Sequence, residues 1–334
     1  MSDKPLVSII INNYNYGKYV ENAIHSALVQ TYDRVEIIVV DDGSTDHSRE
    51  IVSKYKEKVK IIYKKNGGQA SACNAGFRHC NGDIIFFLDA DDFYYPEMVE
   101  KVVKLWHPEI AKIHFRLDKL NENLKKIGII PFNKRSLANG DAWKEIFLCG
   151  NVVSPPMSGN AFSKTALEKL MPIPEENYTY SADSYILKRI PFFGKYEMID
   201  EALGVYRIHG KNYSLKINYD NYHEMILRIN HAYEAYPFFQ MQAKKRSIYI
   251  NRDFLFKNII LLRYRILSLR IEPSKHLFQE DTYAKLLALT VKNCLFHKRY
   301  GFPRRLYELV FTLWMFVRPV KKARESMLAN KWSL

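Results

Sequence analysis

The chain of 334 residues is 47% hydrophobic and 14% aromatic, and carries 50 Lys and Arg against 36 Asp and Glu, a formal net charge of +14. This composition excludes a disordered, collagenous or low-complexity chain and suffices to bury one large core plus an appendage. Four cysteines, Cys73, Cys80, Cys149 and Cys294, form no CxxC pair and no metal-ligand spacing with histidine, which excludes a disulfide scaffold or zinc finger and points to reduced, packed thiols.

Met1 to Pro5 lead into the strand-like Leu6 to Ile11 with no charged segment and cleavage site, so no signal peptide is expected and cytoplasmic residence is the default. Val7 to Asn12 reads as a strand, and Tyr19, Val20, Ala23, Ile24, Ala27 and Leu28 follow at helical spacing. A second strand, Glu36 to Val40, runs through Gly43-Ser44-Thr45-Asp46 into a helix with Ile51, Val52 and Tyr55 on one face; Ser44, Thr45 or Asp46 can cap it. Val59 to Tyr63 is a third strand. Asn66-Gly67-Gly68 can present backbone amides to a phosphate or form a simple turn, and it precedes a helix through Ala75 and Phe77. Ile84 to Leu88 is a fourth strand, and Pro96 suits the first turn of the next helix.

Ala111, Ile113, Phe115 and Leu117 alternate with Lys112, His114 and Arg116, which predicts a strand with one exposed face. Lys164 to Leu170 is helix-like and stopped by Pro172 and Pro174. Ser181-Ala182-Asp183-Ser184 opens another helix that ends before Pro191, and Val205 to Ser214 joins an alternating strand to a polar tail. From Ile217 onward the pattern is long, basic, aromatic-rich helices, with Phe254 to Leu269 as a core helix.

Two acidic clusters follow strands apolar enough to be buried on both faces: Asp41-Asp42 after Ile37 to Val40, and Asp89-Ala90-Asp91-Asp92 after Ile84 to Leu88. In open α/β sheets ligands bind at the carboxyl ends of such strands, so both clusters should face one crevice. Like charges converging there repel unless a cation or hydrogen-bond donors offset them, which makes a divalent metal and a polar ligand the natural partners. An acidic pocket of this kind also occurs in phosphoacceptor receiver domains.

Four blocks carry a resemblance. They are Pro5 to Asn15, Val40 to Asp46, Asn66-Gly67-Gly68-Gln69-Ala70-Ser71 with Asn74-Ala75-Gly76, and Gly82-Asp83 with Phe87 to Asp92. In this order and spacing the chain resembles family 2 glycosyltransferases of the GT-A fold. The resemblance implies an α/β fold with a Rossmann-like mixed central sheet flanked by helices over residues 1–215, followed by a basic, mainly helical region over 216–334. It implies inverting, metal-assisted transfer from a nucleotide-diphosphate sugar, a UDP-sugar, to a glycan or lipid-linked acceptor.

By the same resemblance Asn12, Tyr14, Asp41, Asn74, Asp89 and Asp91 bind the nucleotide sugar. Asp89 and Asp91, with His209, hold Mg²⁺ or Mn²⁺. Asp183 is the general base, and Lys211, Asn212 and Ser214 lie on a loop over the diphosphate. Asn160 is a candidate acceptor contact. Ala182 stands where the family often has an acidic residue, and Cys73 where it often has arginine. Plainer readings compete: Asp183 as a carboxylate favoured by a helix N-terminus, His209 as a hydrogen-bonded strand histidine, and the whole chain as a catalytically inactive nucleotide-sugar-binding scaffold at the membrane.

The positive charge is confined to one region. Residues 215–334 hold 22 Lys and Arg against 9 Asp and Glu, whereas residues 1–214 hold 28 against 27. An anionic partner surface is implied for the last third. No zinc-finger spacing, RNP-like signature or helix-turn-helix pattern accompanies the charge, so nucleic acid is not expected. Leu306, Leu309, Val310, Leu313, Trp314 and Val317 recur at helical spacing between Arg304-Arg305 and Arg318, Lys321, Lys322 and Arg324. The apolar run is far short of the roughly 20 residues that cross a bilayer. Two readings remain: a helix lying in an anionic membrane interface, placing the protein peripherally on the inner face of the cell membrane, or a bundle helix with a solvated basic face.

Overall fold

A computed structural model describes residues 4–131, 137–210, 212, 222–296, 301–319 and 322. The strands β1 (Val7–Asn13), β2 (Val35–Asp41), β3 (Lys60–Tyr63) and β4 (Ile84–Asp89) are parallel and lie in the order β3-β2-β1-β4. Helices α1 (Val20–Leu28), α2 (Ser48–Ser53) and α3 (Gly68–Arg78) connect them. Ile9, Ile10, Ile11, Ile38, Val39, Val40 and Ile84 to Leu88 are all fully buried, as a parallel sheet covered on both faces requires. Helix α3 packs closely on β1 at Gly76: a Cβ there would stand 2.3 Å from Ile10 Cγ2, so only glycine fits.

The rest of the sheet is mixed. After β5 (Phe93–Tyr94) and α4 (Met98–Leu105) come β6 (Ile110–Leu120), β7 (Lys126–Ile130), α5 (Trp143–Cys149), β8 (Asn160–Ser163), α6 (Lys164–Leu167), α7 (Ala182–Arg189) and β9 (Lys195–Arg207). The order is β3-β2-β1-β4-β8-β6-β9-β5, with β7 on β6; β8 runs antiparallel to both neighbours, and β6 and β9 are parallel. The α/β class with a mixed central sheet is the one expected.

Strand β6 departs from expectation. Its polar positions are not exposed: Lys112 and His114 are 0% accessible and Arg116 3%. Each has partners in neighbouring strands or in the loops that cover them. Lys112 Nζ donates to Ser154 Oγ at 2.7 Å and Asn160 Oδ1 at 2.9 Å and lies 4.5 Å from the Tyr196 ring centroid. His114 Nε2 meets the Ala138 carbonyl at 2.8 Å, and Arg116 donates to Asp200 and to the Pro131 carbonyl. Burial holds Lys112 well below the usual lysine range.

The chain divides into two compact units. One comprises residues up to Ala142 together with Val153–Gly210; the other comprises Trp143–Val152 with the described residues beyond 210. The second unit is helical: α5, α8 (Tyr222–Lys244), α9 (Ile259–Ile271), α10 (Tyr283–Leu295) and α11 (Phe302–Val317), with a short 3₁₀ segment at Arg252–Lys257. The helix expected from Phe254 to Leu269 is thus broken in two, because Asn258 leaves helical geometry and its side chain accepts from Ile260 N at 3.0 Å to cap α9. Aromatic contacts fill the core, among them Phe147–Phe254 at 5.8 Å and Phe256–Phe278 at 5.3 Å between centroids.

Candidate functional site

Strand register brings the two acidic clusters side by side. On β1, Asn13 lies opposite Asp41 of β2 and Asn12 opposite Asp89 of β4, so both clusters end at the same edge of the sheet. The first cluster is largely spent on the fold. Asp41 is fully buried and accepts from Asn13 Nδ2 at 3.0 Å, Ser44 N at 3.0 Å and Arg49 Nε at 2.9 Å. Asp42 accepts from Lys64 Nζ and from the backbone amides of Gly67 and Gly68, the latter at 2.7 Å. The Asn66-Gly67-Gly68 loop therefore points amides at a carboxylate of its own chain.

The second cluster faces other side chains that distant segments supply. Asp89 Oδ1 accepts from Gln69 Nε2 at 3.2 Å, and Gln69 Oε1 accepts from the backbone N of Ala182, the first residue of α7, at 3.2 Å. Gln69 thus ties Asp89 to the helix start that carries Asp183. Gly68 allows this close docking: its φ is +84°, and a Cβ would meet Thr179 Cγ2 at 2.4 Å. Asp91 Oδ2 lies 3.0 Å from His209 Nε2, and the buried His209 ring stacks on Tyr19 at 4.6 Å between centroids. Asp92 accepts from Ser158 Oγ at 2.7 Å and Arg207 N at 3.0 Å, fastening the cluster to the end of β9.

Charge accumulates here. Burial, then the charges of Asp91 and Asp183, push Asp89 up to about 7. Burial, then Asp91 and Asp89, push Asp92 well above the carboxylate range. Tyr16, whose hydroxyl is likewise raised by burial and then by Asp91 and Asp89, borders the same group.

The other expected site residues fall as follows. Asn12 donates to Cys73 Sγ at 3.2 Å, while its Oδ1 is buried and has no hydrogen-bond partner among the described residues. Tyr14 is 44% exposed. The Asn74 amide is engaged by the backbone of Ile173, which it meets twice at 2.8 Å, and by Glu175 at 3.0 Å, so its geometry is that of a clamp on segment 173–175. Asn160, expected as an acceptor contact, is fully buried and bound to Lys112 and to the carbonyls of Pro156 and Met157. Asn212 is buried; Lys211 and Ser214 lie outside the described residues. Sequence patterning does not single out Gln69 as a candidate, although its place directly after Gly67-Gly68 in one of the four blocks is a signal for it.

Among the described residues no three His, Cys, Asp or Glu side chains are grouped to hold an ion by themselves. A hard cation that completes its shell with diphosphate oxygens and water needs only one or two protein carboxylates. The oxygen-rich pair Asp89 and Asp91, with His209 beside Asp91, fits that demand.

The sheet, its parallel half ending in acidic loops and its helices, is the GT-A fold. It is shared with S. aureus TarS, at TM-score 0.51 and 16% identity over 92% of this chain and 54% of that one, and with the TarS 1–349 complex with UDP-GlcNAc, at TM-score 0.50 and 13% identity over 98% and 92%. The glycosyl transferase family 2 model matches residues 8–150. An uncharacterized glycosyltransferase of Haemophilus influenzae is 31% identical over 234 residues, 66% of this chain and 71% of that protein. The chain belongs to glycosyl transferase family 2. An uncharacterized glycosyltransferase of Nostoc sp. is 38% identical over 62% of this chain and 66% of its own length, whereas the match to one from Rickettsia prowazekii spans 32% of that protein. A putative teichuronic acid biosynthesis glycosyltransferase of Bacillus subtilis is 39% identical over 102 residues.

Proposed function

We propose that this chain transfers a sugar from a nucleoside-diphosphate donor, a UDP-sugar, to a glycan or lipid-linked acceptor, with inversion at the anomeric carbon and at the cytoplasmic face of a membrane. The observation that carries the reading is the Gln69 bridge, which links Asp89 to the helix start bearing Asp183. A donor-binding carboxylate tied by one side chain to the helix start that carries the base suits in-line transfer, which needs donor and base held in fixed relation. Asp183 takes the proton of the acceptor hydroxyl as its oxygen bonds to the anomeric carbon, and the bond from that carbon to the diphosphate oxygen breaks on the opposite side. Asp89 and Asp91, with His209, would hold Mg²⁺ or Mn²⁺. Such an ion, when bound, offsets the negative charge that grows on the leaving diphosphate. The orphan Oδ1 of Asn12, at the strand end beside Asp89, suits a donor hydroxyl or base N–H. Tyr14 and Asp41 are assigned to the nucleotide, and Lys211, Asn212 and Ser214 to the diphosphate, on family resemblance.

UDP-GlcNAc is the first donor to try, since TarS 1–349 is known in complex with it. Thermal shift with a panel of nucleotide sugars plus Mn²⁺ should single out the donor, because a ligand of the folded state stabilises it. With that donor, Asp91→Ala should abolish metal-dependent binding, whereas Asp183→Asn should spare binding and lower transfer or donor hydrolysis by at least about 10²-fold. Full turnover in Asp183→Asn would refute the base assignment. Donor binding with no turnover in the unaltered protein would instead favour an inactive scaffold.

A further inference from the structure

Helix α11 is built inside out. Its single acidic residue, Glu308, is 0% exposed and paired with the fully buried Arg263 of α9 and with Arg304, at 2.6 Å for the latter. Thr312 and Met315 lie on the same inward face and are 0% exposed. The opposite face is apolar and open: Phe302 is 70% exposed, Leu306 47%, Val310 57% and Val317 79%. Positions 302, 306, 310 and 317 fall on one stripe of a helix.

Helix α10 repeats the arrangement. Leu286, Thr290 and Cys294 point inward, whereas Tyr283, Leu287 and Val291, four residues apart, are 53%, 43% and 38% exposed. The two helices pack on each other, and Tyr283 of α10 meets Phe316 of α11 at 6.5 Å between centroids. A monomeric protein rarely leaves such a patch in water.

Charge decides what covers it. Between Tyr283 and Pro319 the sequence holds seven Lys and Arg and one acidic residue, the inward-facing Glu308. A second copy of this face would bring the same net positive charge against itself, whereas an anionic lipid surface complements both the apolar stripe and the net positive charge of the segment that carries it. We infer that the outward faces of α10 and α11 form one docking surface for an anionic bilayer, with Phe302, Leu306, Val310, Leu287 and Val291 entering the interface. Trp314, the residue that composition alone would pick as the anchor, instead stacks against Phe311 at 5.8 Å and beneath Arg318. This inference stands independently of the transfer reaction.

The test is flotation of the full chain with vesicles of phosphatidylcholine alone and of phosphatidylcholine with about 30% phosphatidylglycerol. Binding should require the anionic lipid and weaken with salt. Leu306→Glu with Val310→Glu, both at exposed positions, should weaken it about tenfold with thermal stability unchanged, and Lys292→Gln about fivefold. Trp314→Ala, which removes stacking within the helix on Phe311, should weaken binding less than the Leu306/Val310 pair does. Equal flotation of the double variant and the unaltered chain would overturn the inference. So would concentration-dependent dimerisation lost in the double variant with no vesicle binding by the unaltered chain, which would assign the face to a second copy. Loss of nucleotide-sugar binding by Asp91→Ala, read in the same preparations, would leave flotation intact.

Discussion

Gln69 concentrates in one side chain what the site needs from two distant segments. Its Nε2 donates to the carboxylate whose pKa burial and two neighbouring aspartates push up, and its Oε1 takes the first free amide of α7. Neither contact touches a reacting atom in the proposed scheme, so Gln69 is a positioning residue. Gln69→Ala should therefore lower kcat by about ten- to a hundredfold while donor affinity, followed by calorimetry, changes by less than about threefold. A parallel loss of affinity and kcat would mean that Gln69 contacts the donor itself. The sequence marks Gln69 as part of a recognised block but cannot show its role, because a glutamine bridge is defined only by what a residue 113 positions further along the chain brings to its other end.

At the scale of elements, legibility follows from whether a pattern is local. The parallel strands were readable because a buried strand in such a sheet is continuously apolar, and Ile84 to Leu88 can be little else. Strand β6 departs from its reading because a Lys, His, Arg alternation is what a strand with one solvated face displays; its burial depends on Ser154, Asn160, Ala138 and Asp200, which no local pattern reveals. The same holds in the second unit, where Ser268 Oγ, His276 and Asp281 form a chain of 3.0 Å contacts. Ser268 is 0% exposed and Asp281 is also bound by Arg265, so the chain braces α9 and is no nucleophile. Burial alone would raise Asp281, but hydrogen bonds from His276 and Arg265 outweigh it and hold its carboxyl below the usual range. A carboxylate depressed on folding contributes stability above its unfolded pKa, about 3.9, and that contribution is lost as pH falls through the folded value. Urea midpoints should thus drop on acidification below about pH 4. Asp281→Asn should flatten that limb and, by leaving the buried Arg265 only the more distant carboxylate of Asp253 at 3.7 Å, cost about 3 kcal/mol near neutrality.

For the whole molecule, the division into units cuts across the chain's order. Residues 1–215 read as one domain by sequence, yet Trp143–Val152 cluster with the helical unit. The reason is visible in α5. Phe147 packs on Phe254, the Arg246 guanidinium lies 4.8 Å from the Trp143 ring centroid, and Lys257 Nζ donates to the Phe147 carbonyl at 2.9 Å. A chain cut after Gly210 keeps Ile146, Phe147 and Cys149, each at most 7% exposed, but discards every one of these partners. Uncovering them forfeits about 1.5–3 kcal/mol for each large apolar side chain and leaves a sticky patch. The fragment also carries almost no net charge, since residues 1–214 hold 28 basic against 27 acidic side chains, so little repulsion opposes self-association. The fragment 1–210 should therefore elute as aggregate and melt below the full chain. Replacing 143–152 by a short Gly/Ser link in the same fragment should restore a monomer, because the linker removes the uncovered residues together with their demand for partners. A monomeric 1–210 fragment with an unshifted melting temperature would show that α5 holds its place without the helical unit.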